Sequence, residues 1–176
     1  MKSLDKSMKL KKPRKQKTHP AGWWRSRALE KAQRLAKFRE SWGGPTPEQR
    51  FCRCISCGRT VHLAGASDRA EGGHYVSRNC HATEMDPDNI HPQCHVCNCH
   101  LSGNVIAYRI SLVQRIGEDR VRRLEDMFAA SKGDEEALAR LSDRDQLEVM
   151  RKKGVAYYKQ RCTELDEELA RVQKDW

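Results

Sequence analysis

The sequence has few apolar residues and no long apolar run. Only 38% of its 176 residues are hydrophobic, whereas 33% are charged, so a single core must be small for a chain of this length. No stretch is apolar enough to span a bilayer, and none near the N terminus resembles a signal peptide. We therefore expect a reducing compartment, the cytoplasm, where eight cysteines act as metal ligands rather than disulfides.

Positive charge is concentrated near the N terminus. The first 40 residues contain 14 Lys and Arg against 3 Asp and Glu, while the rest of the chain is nearly balanced. Such an arm is typical of phosphate binding, because each basic residue near a phosphate releases condensed counterions. A solvated or localisation tail is the alternative. We predict a disordered arm over residues 1–22 that contacts DNA through Lys9, Lys11, Lys12, Arg14, Lys15 and Lys17.

Hydrophobic periodicity outlines the remaining organisation. It predicts a basic amphipathic helix over 23–45, a compact core over 46–117 with a short strand near 59–63, and a helical region over 118–176. A helical region opens at Asn98, shares one apolar face among Val105, Tyr108, Leu112 and Ile116, and ends at Gly117. A second helix stops near Gly133. The fold class expected is a small α+β protein with mainly helical N- and C-terminal extensions.

The last predicted helix covers residues 143–176 and opens on a capping box at 142–145, with a bend at Gly154. Its apolar residues follow a heptad spacing: Val155, Tyr158, Cys162, Leu165, Leu169, Val172 and Trp176. Such a seam either pairs with a second copy in a dimeric coiled coil or packs on the chain's own helices.

Two Cys-x-x-Cys pairs, Cys54/Cys57 and Cys94/Cys97, predict one structural Zn²⁺. The segment between the pairs is too long for a simple zinc ribbon, so it must carry structure of its own. Cys52 competes with Cys54 as a ligand, although Cys-x-Cys is a poorer chelate. Cys80, Cys99 and Cys162 are expected to be small buried hydrophobes.

Short motifs around these pairs resemble one known family. They are Cys-Ile-Ser-Cys-Gly at 54–58, Gly-Gly-His-Tyr at 72–75, Asn-Ile-His-Pro-Gln-Cys at 89–94, Cys-Asn at 97–98, His-Leu-Ser-Gly-Asn at 100–104 and Tyr-Arg at 108–109. Over about residues 52–125 the chain is similar to the NinG (Rap) recombination endonucleases of lambdoid phages. That resemblance implies a zinc-stabilised HNH, or ββα-metal, nuclease related to phage Holliday-junction resolvases of the endonuclease VII type.

The resemblance also implies roles for four residues. His74 acts as general base on the attacking water, and Asn89 fixes the loop that carries it by bonding backbone groups across the turn. Asn98 and His100 hold one Mg²⁺, with Mn²⁺ as an alternative. The expected activity is hydrolysis of branched DNA such as Holliday junctions and D-loops.

Two positions depart from the family chemistry. Many HNH relatives have a metal ligand directly before the base, where this chain has Gly73, so Glu71, Asp68 or water must replace it. Asn98 and His100 are two residues apart, which requires an irregular first helical turn.

Several further residues have a weaker assignment. Arg78 and Arg109 are candidate phosphate clamps. His91 either orients a ligand or contacts phosphate, whereas His62, His81 and His95 are expected to be surface residues or to lie behind the ligands.

Expected partners are branched DNA, a second copy of the chain, and phage or host recombination proteins, with no membrane. Two other functions stay open. One is a non-catalytic zinc-stabilised module that binds DNA or a protein partner, and the other is a sequence-specific homing or restriction enzyme.

Overall fold

The computed structural model describes residues 18–65 and 68–176. The predicted DNA-contacting residues of the arm, Lys9, Lys11, Lys12, Arg14, Lys15 and Lys17, lie outside this range. None of the helices within it is long and apolar enough to cross a membrane.

The fold is α+β, as predicted. The helices are α1 Ala21–Arg39, α2 Val105–Ile116, α3 Glu118–Ala130, α4 Glu135–Arg140, α5 Asp143–Met150 and α6 Val155–Lys174, with single turns at Pro47–Gln49 and Val96–His100. The strands are β1 Trp42–Gly43, β2 Arg50–Arg53, β3 Thr60–His62, β4 Glu71–His74 and β5 Ile90–Gln93. They form two antiparallel sheets, β1-β2-β3 and β4-β5.

Helix α1 is shorter than predicted, because it ends at Arg39 and Trp42 already pairs in β1. Its buried face is built mainly from small residues, Ala28, Ala32 and Ala36. Small side chains let a second helix approach closely, and α6 packs on this face within one shared core.

The heptad seam therefore packs within the chain. Tyr158, Cys162, Leu165 and Leu169 are buried in the α1–α6 core, and Val172 packs at its margin. The single helix predicted over 143–176 is wrong, since α5 ends at Met150 and α6 starts after an extended Gly154. Ser142 caps α5, not the last helix, by accepting the Asp145 N–H at 3.3 Å.

A second core lies between α2, α3 and the β4–β5 loop. Tyr108 and Leu112 from α2 meet Val121 and Leu124 from α3. Helix α2 stops at Gly117, as predicted, but it begins at Val105, later than the predicted opening at Asn98. This core crosses the domain boundary predicted at residue 117, so α3 belongs with the compact region.

Candidate functional site

The four cysteines of the two Cys-x-x-Cys pairs come together as predicted. Cys54 and Cys57 lie in the turn after β2, and Cys94 and Cys97 follow β5. All four Sγ atoms lie within 4.8 Å of one another, and the Sγ atoms of Cys57 and Cys94 are 3.8 Å apart. Tetrahedral Zn²⁺ with 2.3 Å bonds to sulfur requires S···S separations of about 3.8 Å. The cluster thus fits a structural metal ion of the size and preference of zinc.

Hydrogen-bond donors around the cluster point at two of its sulfur atoms. Gly58 turns the chain with a φ of 71°, and the Cys97 N–H points at the Cys94 sulfur at 3.5 Å. The Asn104 side-chain amide donates to the Cys97 sulfur at 3.6 Å. Burial raises the pKa of Cys54, but surrounding backbone N–H groups, that of Cys94 first, bring it below its ordinary value.

The remaining cysteines are not part of this cluster. Cys52 is fully buried in β2, its thiol donates to the Lys37 carbonyl, and burial raises its pKa to about 12. Cys80 and Cys162 are buried, as predicted. Cys99 is exposed, so its assignment as a buried hydrophobe is wrong.

His74 is the last residue of β4 and pairs with Ile90. Its Nε2 lies 3.0 Å from the Glu84 carbonyl oxygen. A carbonyl only accepts hydrogen bonds, so Nε2 carries the proton and Nδ1 keeps a lone pair. Burial, followed by the charge of Arg78, lowers the pKa of His74 despite the bond to Glu84. The imidazole is therefore neutral near pH 7, the form that can accept a proton.

Asn89 makes the backbone bonds expected of it. It is fully buried, its Oδ1 accepts the Val76 N–H at 2.7 Å, and its Nδ2 donates to the carbonyls of Val76 and Thr83 at 3.0 and 2.9 Å. Three bonds from one amide thus close the loop that follows His74.

Glu71, at the other end of β4, collects a group of polar side chains. Its carboxylate accepts from Asn98 Nδ2 at 2.6 Å, lies 2.8 Å from His95 Nδ1, and accepts from the Cys99 thiol at 3.4 Å. Burial opposes ionisation, but the bonds from Asn98 and His95 lower the pKa of Glu71 below its ordinary value. Of the two acids considered as substitute ligands, Glu71 is the one beside Asn98.

The turn that carries Asn98 is irregular, as the spacing required. Residues Val96–His100 form one π-helical turn. His95, not His100, reaches Glu71, and the His100 ring stacks edge-on against the His95 ring at 4.9 Å. His95 is exposed and bonded to a candidate ligand, in agreement with its prediction as a surface residue or one that lies behind the ligands. Its spacing to Asn98 and Cys99, three and four residues, is that of one helical face and was the available signal.

The structure does not gather all predicted catalytic residues at one point. Glu71 and His74 are three positions apart along β4, which separates their Cα atoms by about 10 Å and directs their side chains to opposite faces. Asn98 is bonded to Glu71, which begins β4, whereas His74 ends the strand. The two groups occupy opposite ends of β4.

The absence of a side chain at residue 73 has a steric cause. A Cβ at Gly73 would lie 1.9 Å from the Gln93 side-chain oxygen, and one at Gly72 would lie 2.5 Å from Gln33 Cβ in α1. Both glycines are buried between neighbouring elements. No side chain that could bind a metal fits directly before His74, and the carboxylate that begins the strand is that of Glu71.

An open cleft of about 500 Å³ between α1 and β4 leads to Glu71 and Asn98. Arg34, Lys37 and Arg69 line it, and sequence patterns alone did not connect these residues with the site. Three basic side chains against two carboxylates, Glu30 and Glu71, make a surface suited to phosphate.

The three other residues predicted to contact phosphate have different surroundings in the structure. Arg109 donates to Glu118 and Glu125 at 2.7 and 2.8 Å and ties α2 to α3, so its assignment as a free clamp is wrong. His91 is buried and bonded to Glu40 at 2.5 Å. Arg78 is exposed and adjoins His74.

Comparison with known proteins identifies the family of this chain. The family model described as Bacteriophage Lambda NinG protein matches residues 2–154. The chain belongs to the NinG family. No solved structure matches it.

Individual NinG relatives cover part of the chain. Protein ninG of Escherichia phage 933W is 33% identical over 115 residues, which are 65% of this chain and 50% of the relative. The proteins ninG of Escherichia phage lambda and Salmonella phage P22 are 32% and 33% identical over the same lengths. The aligned region thus spans about half the length of these curated relatives. The NinG family match ends at residue 154, directly before α6.

Proposed function

We propose that this protein is a metal-dependent DNA endonuclease with an HNH-type centre. The observation that carries the proposal is the Glu71–Asn98 pair, held at 2.6 Å at the end of the basic cleft. Asn98 directly follows the cluster cysteine Cys97, so the structural metal would fix one half of the pair. β4 fixes the other half through its register with β5.

Glu71 and Asn98 are the proposed protein ligands of Mg²⁺, or of Mn²⁺. Asn98 directs its NH₂ group at Glu71, and a half-turn of the amide presents its oxygen instead. The bound ion would stabilise negative charge on the phosphate and on the departing 3′ oxygen. Glu71 is suited to this position because its lowered pKa keeps it ionised.

His74 is proposed as the general base. The bond from Nε2 to the Glu84 carbonyl leaves Nδ1 as the proton acceptor, and Arg78 offers a guanidinium beside it for a phosphate oxygen. The Cα gap of about 10 Å to Glu71 has to be spanned by both side chains, the ion and the phosphodiester. His95, on the metal side, is the alternative base.

Substrate and assembly rest on the family resemblance. The proposed substrates are Holliday junctions and displacement loops formed in phage recombination in the host cytoplasm, with phage or host recombination proteins as partners. Cutting two strands of a junction requires two active sites, which favours a homodimer. Its interface would lie outside the α6 seam, because that seam is buried against α1.

The test is cleavage of a labelled four-way junction beside a linear duplex, with Mg²⁺ added or withheld. We expect wild type to cut the junction in Mg²⁺, while Glu71→Gln and His74→Ala bind it equally and do not cut. Glu135→Gln is the matched control, since Glu135 is exposed at the start of α4 and lies outside the cleft. Loss of cutting in His95→Ala but not in His74→Ala would move the base to His95. If wild type binds the junction tightly but does not cut it in Mg²⁺ or in Mn²⁺, the protein is a non-catalytic zinc module.

A further inference from the structure

Three different donor atoms meet at the edge of the proposed nuclease centre. A carboxylate oxygen of Glu71, Nδ1 of His95 and Sγ of Cys99 all lie within 4.8 Å of one another. His95 and Cys99 are both exposed. The nuclease proposal uses only Glu71 of these three as a ligand, so the imidazole and the thiol have no role in it as ligands.

The spacing of these donors suits a tetrahedral ion. Zn²⁺ with ordinary bonds to sulfur, nitrogen and oxygen requires separations of roughly 3.4 to 3.6 Å between its ligands. The Cys99 sulfur lies 3.4 Å from a Glu71 oxygen, and His95 Nδ1 lies 2.8 Å from the other. An ion would replace the His95–Glu71 hydrogen bond and widen that pair by about 0.6 Å, from 2.8 Å to the roughly 3.4 Å of two ligands on one ion.

The turn that carries two of the donors is already positioned. His95 and Cys99 stand four residues apart on the irregular turn, interleaved with the cluster cysteines Cys94 and Cys97. A metal in the four-cysteine cluster would therefore hold both side chains on one face, so little conformational entropy is lost when they bind.

The donor types decide which ion is favoured. Imidazole and thiolate are preferred by Zn²⁺ and similar transition metals, whereas Mg²⁺ prefers oxygen ligands and keeps several waters. The Glu71 carboxylate could thus serve as a ligand in two sites that prefer different ions. Glu71 with Asn98 suits Mg²⁺, and Glu71 with His95 and Cys99 suits zinc.

We propose that Glu71, His95 and Cys99 form a second zinc site, and that zinc bound there inhibits the nuclease by occupying Glu71. The binding releases the Cys99 thiol proton to solvent and leaves the fourth position to water. The inhibitory part of the proposal rests on the proposed function, whereas the metal site does not.

The metal site is tested without any nuclease assay. Protein with one zinc per chain is titrated with Co²⁺, which binds more weakly than zinc and does not displace it from four cysteines. We expect one further equivalent to bind with a thiolate-to-cobalt absorption band. Cys99→Ser should remove the band, and both Cys99→Ser and His95→Ala should weaken binding at least about tenfold.

Two controls match these variants. His81→Ala removes a histidine of similar side-chain exposure, 56% against 52% for His95. Cys162→Ala removes a cysteine that packs between α1 and α6. Both should bind the second equivalent like wild type. Absence of a second equivalent in wild type, or undiminished binding in Cys99→Ser, would overturn the site.

Inhibition is tested separately by adding micromolar Zn²⁺ to junction cleavage in Mg²⁺. Wild type should lose most of its activity, and Cys99→Ser should keep it. If cobalt binds but zinc leaves cleavage unchanged, the inhibitory role is refuted and the site stands. If no protein cuts under any condition, the nuclease proposal fails, and the titration alone decides the second site.

Discussion

Replacing Gly73 by Ala tests the close packing behind the base. The added methyl carbon would lie 1.9 Å from Gln93 Oε1 and 2.6 Å from its Cδ. Gln93 has no exposed surface, and its Nε2 donates to Ser56 Oγ at 2.7 Å and to the Gly103 carbonyl at 2.6 Å. Ser56 lies within the first cysteine pair and Gly103 follows the second. Gln93 therefore cannot move away without breaking the hydrogen bonds that join these two segments.

The expected cost follows from two contributions. Forcing a methyl group into a packed site costs about 1–3 kcal/mol. Losing one or both Gln93 hydrogen bonds adds about 0.5–1.5 kcal/mol each. The φ of Gly73 is not in the left-handed region, so backbone strain adds nothing. We expect the free energy of unfolding to fall by about 2–5 kcal/mol, a large part of the roughly 5–15 kcal/mol typical of a domain.

The measurement is urea unfolding of zinc-loaded protein followed by circular dichroism. Gly22→Ala is the matched control, because a Cβ there meets nothing within 4 Å and the residue lies in α1. That control should be neutral or stabilised by up to about 1 kcal/mol. A Gly73→Ala protein within about 0.5 kcal/mol of wild type would show that Gln93 moves freely, and the steric account of this glycine would be refuted.

Three further predictions concern the metal, pH and DNA. Cys94→Ser should abolish the one equivalent of zinc found by metal analysis, and with it cooperative unfolding, because such an ion contributes on the order of 10–16 kcal/mol of apparent binding free energy. The pKa of His74 is lowered in the fold, so the unfolded chain takes up the proton more readily. Its stabilisation is complete above about pH 6.5 and declines as the pH falls. The urea midpoint should therefore drop less between pH 7.5 and 5.5 in His74→Ala than in wild type. Replacing both Arg34 and Arg69 by Ala should reduce the salt-dependence slope of junction binding by about 2, whereas Arg53→Ala, outside the cleft, should leave it unchanged.

Features that depend on local pattern could be predicted from the sequence. The spacing within each cysteine pair predicts the cluster, and Gly117 predicts the end of α2, because each depends on a few neighbouring residues. The partner of the heptad seam could not be predicted, since a seam has the same pattern within and between chains. The Glu71–His95 contact could not be predicted from the sequence either, because it depends on the strand register that pairs Glu71 with Gln93. A shift of that register by one residue would turn Glu71 to the other face.

The helix beyond the family match is part of the domain that holds the proposed base. Glu84 has no exposed surface, and its carboxylate is bonded by Arg25 from α1 at 2.7 Å and by the Tyr158 hydroxyl from α6 at 3.0 Å. Removing a hydrogen-bond partner from a buried carboxylate strongly destabilises the folded protein. The backbone carbonyl of the same Glu84 accepts from His74. Residues 2–154 alone would therefore leave this carboxylate short of one donor and uncover the buried face of α1, so α6 helps to hold the carbonyl that sets the tautomer of His74.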